Sequence, residues 1–122
     1  MILAIDTTDN IFIKILLKKD SGILAQEKIR AERAQGEKLL PAIESLLQKN
    51  KFKLKDIEEV EVDNSGGSFT SLRIGVATAN ALGFALGVPV RGLAGQAKKV
   101  AGIDIIEPVY DREPDIGLSH SA

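Results

Sequence analysis

Asn64-Ser65-Gly66-Gly67-Ser68-Phe69-Thr70-Ser71-Leu72-Arg73-Ile74-Gly75 follows a short apolar run ending at Val62 and opens a long segment rich in alanine and glycine. Two adjacent glycines among hydroxyl residues, between a strand and a helix, form a phosphate-sized turn. Amides at a helix N-terminus are unpaired and partly positive, so such a turn admits an anion or another stretch of backbone at close range. A plain tight turn is the alternative reading.

Working outward, Val60 and Val62 share one parity before the turn and predict a strand that Ile57 leads into. The segment from about Phe69 to Leu86 carries almost no charge beyond Arg73 and predicts a helix of roughly 27 Å that is buried on more than one side. Gly87 ends it and Pro89 follows where a helix cannot continue. A further strand from Val88 to Leu93 completes a strand-helix-strand crossover, which sets two parallel strands side by side.

Upstream, Met1-Ile2-Leu3-Ala4-Ile5 reads as a buried first strand; Asp6 follows at once, with no basic start, so the stretch fails as a signal peptide. Isoleucine or leucine recurs at alternate positions from Ile11 to Leu17, Asp20-Ser21-Gly22 turns the chain, and Ile23 to Ile29 is extended again. These three strands predict an antiparallel meander. Leu39, Leu40, Ile43, Leu46 and Leu47 recur at helical spacing between Gly36 and Asn50. Pro41 removes an amide donor inside that pattern, so regular helix is expected only from there. Lys49 to Lys55 reads as a solvated extended connector anchored by Phe52 and Leu54. A short helix is expected from about Gly95 to Ala101, then an extended tail whose end, from Gly117, is expected to be disordered.

At 122 residues the chain has room for one domain, and one this small often needs a partner to bury its apolar surface. Sixteen basic against seventeen acidic residues give a net charge of −1, so direct tRNA binding is not indicated. Cysteine is absent, which removes disulfides, thiolate metal sites and cysteine nucleophiles, and a cytoplasmic location with no membrane association is expected.

Read with Ala4-Ile5-Asp6-Thr7-Thr8 and Leu39-Leu40-Pro41, the glycine run resembles the TsaB (YeaZ) family of tRNA-modification proteins. That family's pattern has a first strand ending in Asp-Thr and a later Gly-Pro-Gly-Ser-Phe-Thr-Gly-Leu-Arg-Ile-Gly segment. Gly67 to Gly75 follows it with Ser71 in place of a glycine, while Ser65 and Gly66 stand where Gly-Pro normally precedes. The resemblance covers residues 1–101 and implies one RNase H-like domain of the actin and sugar-kinase superfamily. Its sheet would be mixed and five-stranded, with the first three strands an antiparallel meander and helices packed on it. Pro108-Val109-Tyr110-Asp111-Arg112, within the tail 102–122, is similar to the peptide that ends many full-length members, so most of a second domain is expected to be missing.

In that superfamily nucleotide lies in a cleft between two such domains. Asp6, Thr7, Thr8, Ser65, Gly66, Gly67, Ser68 and Thr70 are the corresponding phosphate or nucleotide turn here. No cofactor is expected for one domain alone; ATP and magnesium would bind only at a composite site formed with a partner. For Asp6 the competing reading is a capped hairpin turn. No metal site is expected, because the resembling segment of the catalytic subunit TsaD carries two histidines four apart, and here it reads Glu32-Arg33-Ala34-Gln35-Gly36-Glu37-Lys38. His120 lies two residues from the end of the sequence. Ser65, Ser68, Thr70 and Ser71 lack a positioned base and read as helix-start residues, with Ser68 the cap.

The resemblance thus implies a non-catalytic protein that binds and supports a TsaD-like subunit in threonylcarbamoyladenosine synthesis, with a TsaE-like ATPase as a further candidate partner. Leu40, Glu44, Leu47, Arg73, Ala77, Asn80, Ala81 and Phe84 are the expected contact residues. A homodimer that rebuilds a nucleotide cleft, or serves as a scaffold, is the alternative.

Overall fold

A computed structural model describes residues 1–67, 69–95, 98–100 and 102–109. Strands β1 (Ile2–Asp6), β2 (Phe12–Lys19) and β3 (Gly22–Arg30) are followed by helix α1 (Gln35–Lys49). Then come β4 (Glu59–Val62), helix α2 (Phe69–Leu86) and β5 (Val90–Gly92). Among the described residues these strands form one five-stranded sheet in the order β3-β2-β1-β4-β5. The β1-β2-β3 pairs are antiparallel, whereas β1-β4 and β4-β5 are parallel. The predicted meander and crossover are both present. Asp20 and Ser21 both have positive φ, 52° and 68°, the handedness that a two-residue hairpin loop needs to match strand twist.

Side-chain alternation sends Leu3, Ile5, Ile13, Ile15 and Leu17 to one sheet face, and both helices cover it. From α1, Leu39, Ile43, Leu46 and Leu47 pack there; from α2, Val76, Ala79 and Leu82 do so. Each buried valine, leucine or isoleucine among them contributes about 1.5–3 kcal/mol relative to exposure. The opposite face carries charge: Glu61 is 5% exposed and pairs with both Lys18 and Arg91, and Arg91 also reaches Glu59 at 2.7 Å. By length and composition α2 could cross a bilayer, but its packed face is that of a core helix in a globular domain.

The structure corrects several expectations. α1 begins at Gln35, six positions before Pro41. The amide that proline lacks would have bonded the carbonyl of Glu37, and both residues lie on the exposed side where water can take the bond. Leu54 anchors nothing: it is 39% exposed in a short turn of 3-10 helix, Leu54–Asp56, while Phe52 does pack on the core. In place of a helix from Gly95 to Ala101, Lys98–Val100 is a strand, β6, paired antiparallel with β7, Ile103–Ile105. Residues 96, 97 and 101 lie outside the described residues. Gly102 has φ +80°, and β-branched Val100 and Ile103 face each other across the pair.

Nor is α2 enclosed on every side. Its sheet-facing residues are buried, but Arg73, Ala77, Ala81, Phe84 and Ala85 are exposed.

Candidate functional site: the glycine turn and the two-helix face

The parallel strands β1 and β4 both end at the edge where α2 begins, so Asp6, Thr7 and Thr8 meet the glycine turn there. Asp6 Oδ1 accepts hydrogen bonds from the Thr8 amide at 2.9 Å and the Thr8 hydroxyl at 2.6 Å. Its side chain therefore shapes the turn, as the capping reading predicts. Thr7 is fully buried and its hydroxyl donates to the Ser71 carbonyl at 2.6 Å, which fastens the end of β1 to the first turn of α2.

Gly66 and Gly67 have φ of +76° and +74°. A Cβ on Gly67 would collide with the Thr8 carbonyl, and one on Gly75 with the Thr7 side chain. The close approach that these glycines permit is thus occupied by the chain's own backbone and side chain. Ser65 is half-buried and bridges Val109, Thr70 is exposed, and Ser68 lies outside the described residues together with its expected capping role. Asp63, after β4, takes a weak 3.4 Å bond from the Ser65 amide. Burial pushes its carboxyl above the ordinary range, and neighbouring Asp6 adds to the effect.

Of the residues expected at a partner contact, six are exposed on α1 or α2. Leu40 is 48% exposed and Glu44 is exposed on α1; Arg73, Ala77 and Ala81 line α2, and Phe84 is 67% exposed. The Arg73 guanidinium lies 5.6 Å from the Phe69 ring. Two do not belong. Leu47 is 3% exposed and packs into the core, at a helical angle between Ile43 and Leu40 on the edge of the buried face. Asn80 turns to the segment after β7: its Nδ2 donates to the Ile106 carbonyl at 2.8 Å and its Oδ1 accepts from the Ile106 amide at 2.9 Å.

Asn64 does the same from the end of β4. It is 1% exposed, donates to the carbonyls of Ala94 and Glu107 at 2.6 and 2.8 Å, and accepts from the Ala94 amide at 2.8 Å. These two amides seat residues 106–109 against the domain, with Ile106 buried in the core. Sequence reasoning gave neither this role. The available signals were an amide within an otherwise apolar helix and another at the end of a buried strand, where a satisfied backbone mimic is the cheapest solution.

A family profile described as TsaD, tRNA N6-adenosine threonylcarbamoyltransferase, matches residues 15–122. The chain is a TsaB-like member of the TsaD family. It is 29% identical over 116 residues to the tRNA threonylcarbamoyladenosine biosynthesis protein TsaB of Bacillus subtilis, covering 90% of this chain and 49% of that protein. To the protein of the same name in Buchnera aphidicola it is 32% identical over 95 residues, covering 77% and 44%. An uncharacterized protein of Mycobacterium tuberculosis shares 37% over 93 residues, covering 75% and 44%. The solved structure of YeaZ from Pseudomonas aeruginosa superposes with a TM-score of 0.69 at 26% identity, covering 76% of this chain and 43% of that one. The fold is accordingly RNase H-like, of the actin and sugar-kinase superfamily. The chain spans about half the length of the curated relatives it matches.

Proposed function

We propose that this chain is a non-catalytic subunit in the synthesis of threonylcarbamoyladenosine in tRNA, and that it binds and supports a TsaD-type catalytic subunit through α1 and α2. The observation that carries the reading is the stripe Arg73, Ala77, Ala81 and Phe84, exposed along α2, with Leu40 exposed on α1. Small residues at 77 and 81 let another helix approach closely, and Phe84 with Leu40 supplies apolar area that association would remove from water. Arg73 on α2 and Glu44 on α1 add one exposed charge of each sign, which suits a partner with complementary charges. The names of the TsaB relatives support the pathway, and the family match supports association with the TsaD system.

At the glycine turn, the Thr8 carbonyl against Gly67 and the Asp6 carboxylate held by Thr8 favour a structural turn over an anion cradle. The test is a pull-down with a TsaD-type subunit. Ala81→Arg should abolish capture of the partner while leaving the melting temperature nearly unchanged, since residue 81 is exposed in the free chain. Undiminished capture by that variant would remove α2 from the interface.

A further inference from the structure

The N-terminal ends of the two helices meet at one buried amide. Gln35 opens α1 and is 5% exposed. Its Nε2 donates to the Asn10 carbonyl at 2.8 Å and to the Ser71 hydroxyl at 3.0 Å. Ser71, 3% exposed in the first turn of α2, is held in turn by the Thr7 hydroxyl on its carbonyl. The β1-β2 turn, the start of α1 and the start of α2 are thereby joined through polar bonds, of which those at Ser71 are buried and the one at Asn10 is part-buried.

We infer that Gln35 is a positioning residue for the two-helix face: acting through Ser71, it fixes where α2 lies relative to α1. The inference rests on the subunit reading for its functional meaning and deepens it. Apolar contacts hold both helices on the sheet, but such contacts are non-directional and tolerate sliding. A buried amide bonded at fixed lengths to two separate elements is directional, and losing it leaves the buried Ser71 hydroxyl without that donor. Leverage makes the junction matter at a distance. An 18-residue helix is about 27 Å long, so a pivot of about 5° at its first turn moves its far end by about 2 Å. A face that admits a partner at Ala77 and Ala81 is sensitive to displacements of that size.

Because the chain has no cysteine, Gln48→Cys and Ala85→Cys place spin labels on exposed positions near the far ends of α1 and α2. Pulsed electron resonance on the full chain should give one narrow label-to-label distance. Gln35→Met, which retains bulk and loses both donated bonds, should broaden or shift it by about 2 Å. Ser71→Ala should do the same, and the double variant should add nothing further, since the two act as one unit. A Gln35→Met protein with a lowered melting temperature and an unchanged distance distribution would reduce Gln35 to a stability contributor and overturn the inference. If Gln35→Met does not fold, Ser71→Ala, which removes one hydroxyl, decides between the same two outcomes. Affinity for a TsaD-type subunit should weaken at least tenfold in either variant. A wild-type chain that ignores that subunit would sink the subunit reading, while the distances would still decide the positioning.

Discussion

Replacing Gly75 by alanine should destabilise the protein, although helix propensity predicts the reverse. Within a helix interior glycine to alanine contributes about 1 kcal/mol of stability. At position 75 the new methyl meets the Thr7 hydroxyl and methyl groups, and Thr7 is fully buried and bonded to the Ser71 carbonyl. Overpacking in such a site costs about 1–3 kcal/mol. Displacing the Thr7 hydroxyl forfeits a further 0.5–1.5 kcal/mol or so. The net expectation is a loss of about 0.5–3.5 kcal/mol, against a gain of up to about 1 kcal/mol for Gly36→Ala, where nothing lies within 4 Å of the added carbon. Urea unfolding of both variants at one pH, with slopes compared as well as midpoints, measures the difference. Thr7→Ala introduced into Gly75→Ala should recover part of the loss, a non-additivity expected of groups in contact. A Gly75→Ala protein as stable as wild type would refute the docking of α2 onto the end of β1.

Asn80→Leu leaves both the amide and the carbonyl of buried Ile106 without their side-chain partner, so it should destabilise by about 1–3 kcal/mol and raise hydrogen exchange at the Ile106 amide; unchanged protection there would dismiss the clamp. Asp63 binds its proton more tightly folded than unfolded, so stability should fall as pH rises from the ordinary carboxylate value of 3.8 through the raised folded value. Asp63→Asn should therefore melt higher than wild type at pH 7 and equal to it near pH 3, by thermal unfolding across that range; a constant difference would exclude titration of Asp63 as the cause.

Residue pattern alone was enough for elements whose signals are local. The alternation at Ile13, Ile15 and Leu17 sets β2, and positive φ at Gly87 ends α2 where the glycine predicts it. What escaped depends on partners distant in the chain. Pro41 predicts a later start for α1 because the pattern does not say that the lost bond faces water. Val100 and Ile103 prefer each other across a turn to the weak helical pattern around them. Asn64, Asn80 and Gln35 each act through backbone or side-chain atoms 25 or more residues away in sequence, which no spacing rule reports. The glycine turn was legible as a place of close approach, but not which group would fill it. Of the contact residues that the resemblance implies, Leu40, Glu44, Arg73, Ala77, Ala81 and Phe84 are exposed, whereas Leu47 and Asn80 make their contacts within the chain.

Mixing the full chain with a TsaD-type subunit and measuring mass by light scattering during size-exclusion chromatography tests the central claim most directly. The account predicts a stable complex with one copy of each chain, absent when Ala81→Arg replaces the wild type. Two separate peaks for the wild-type mixture, each at its own mass, would contradict it.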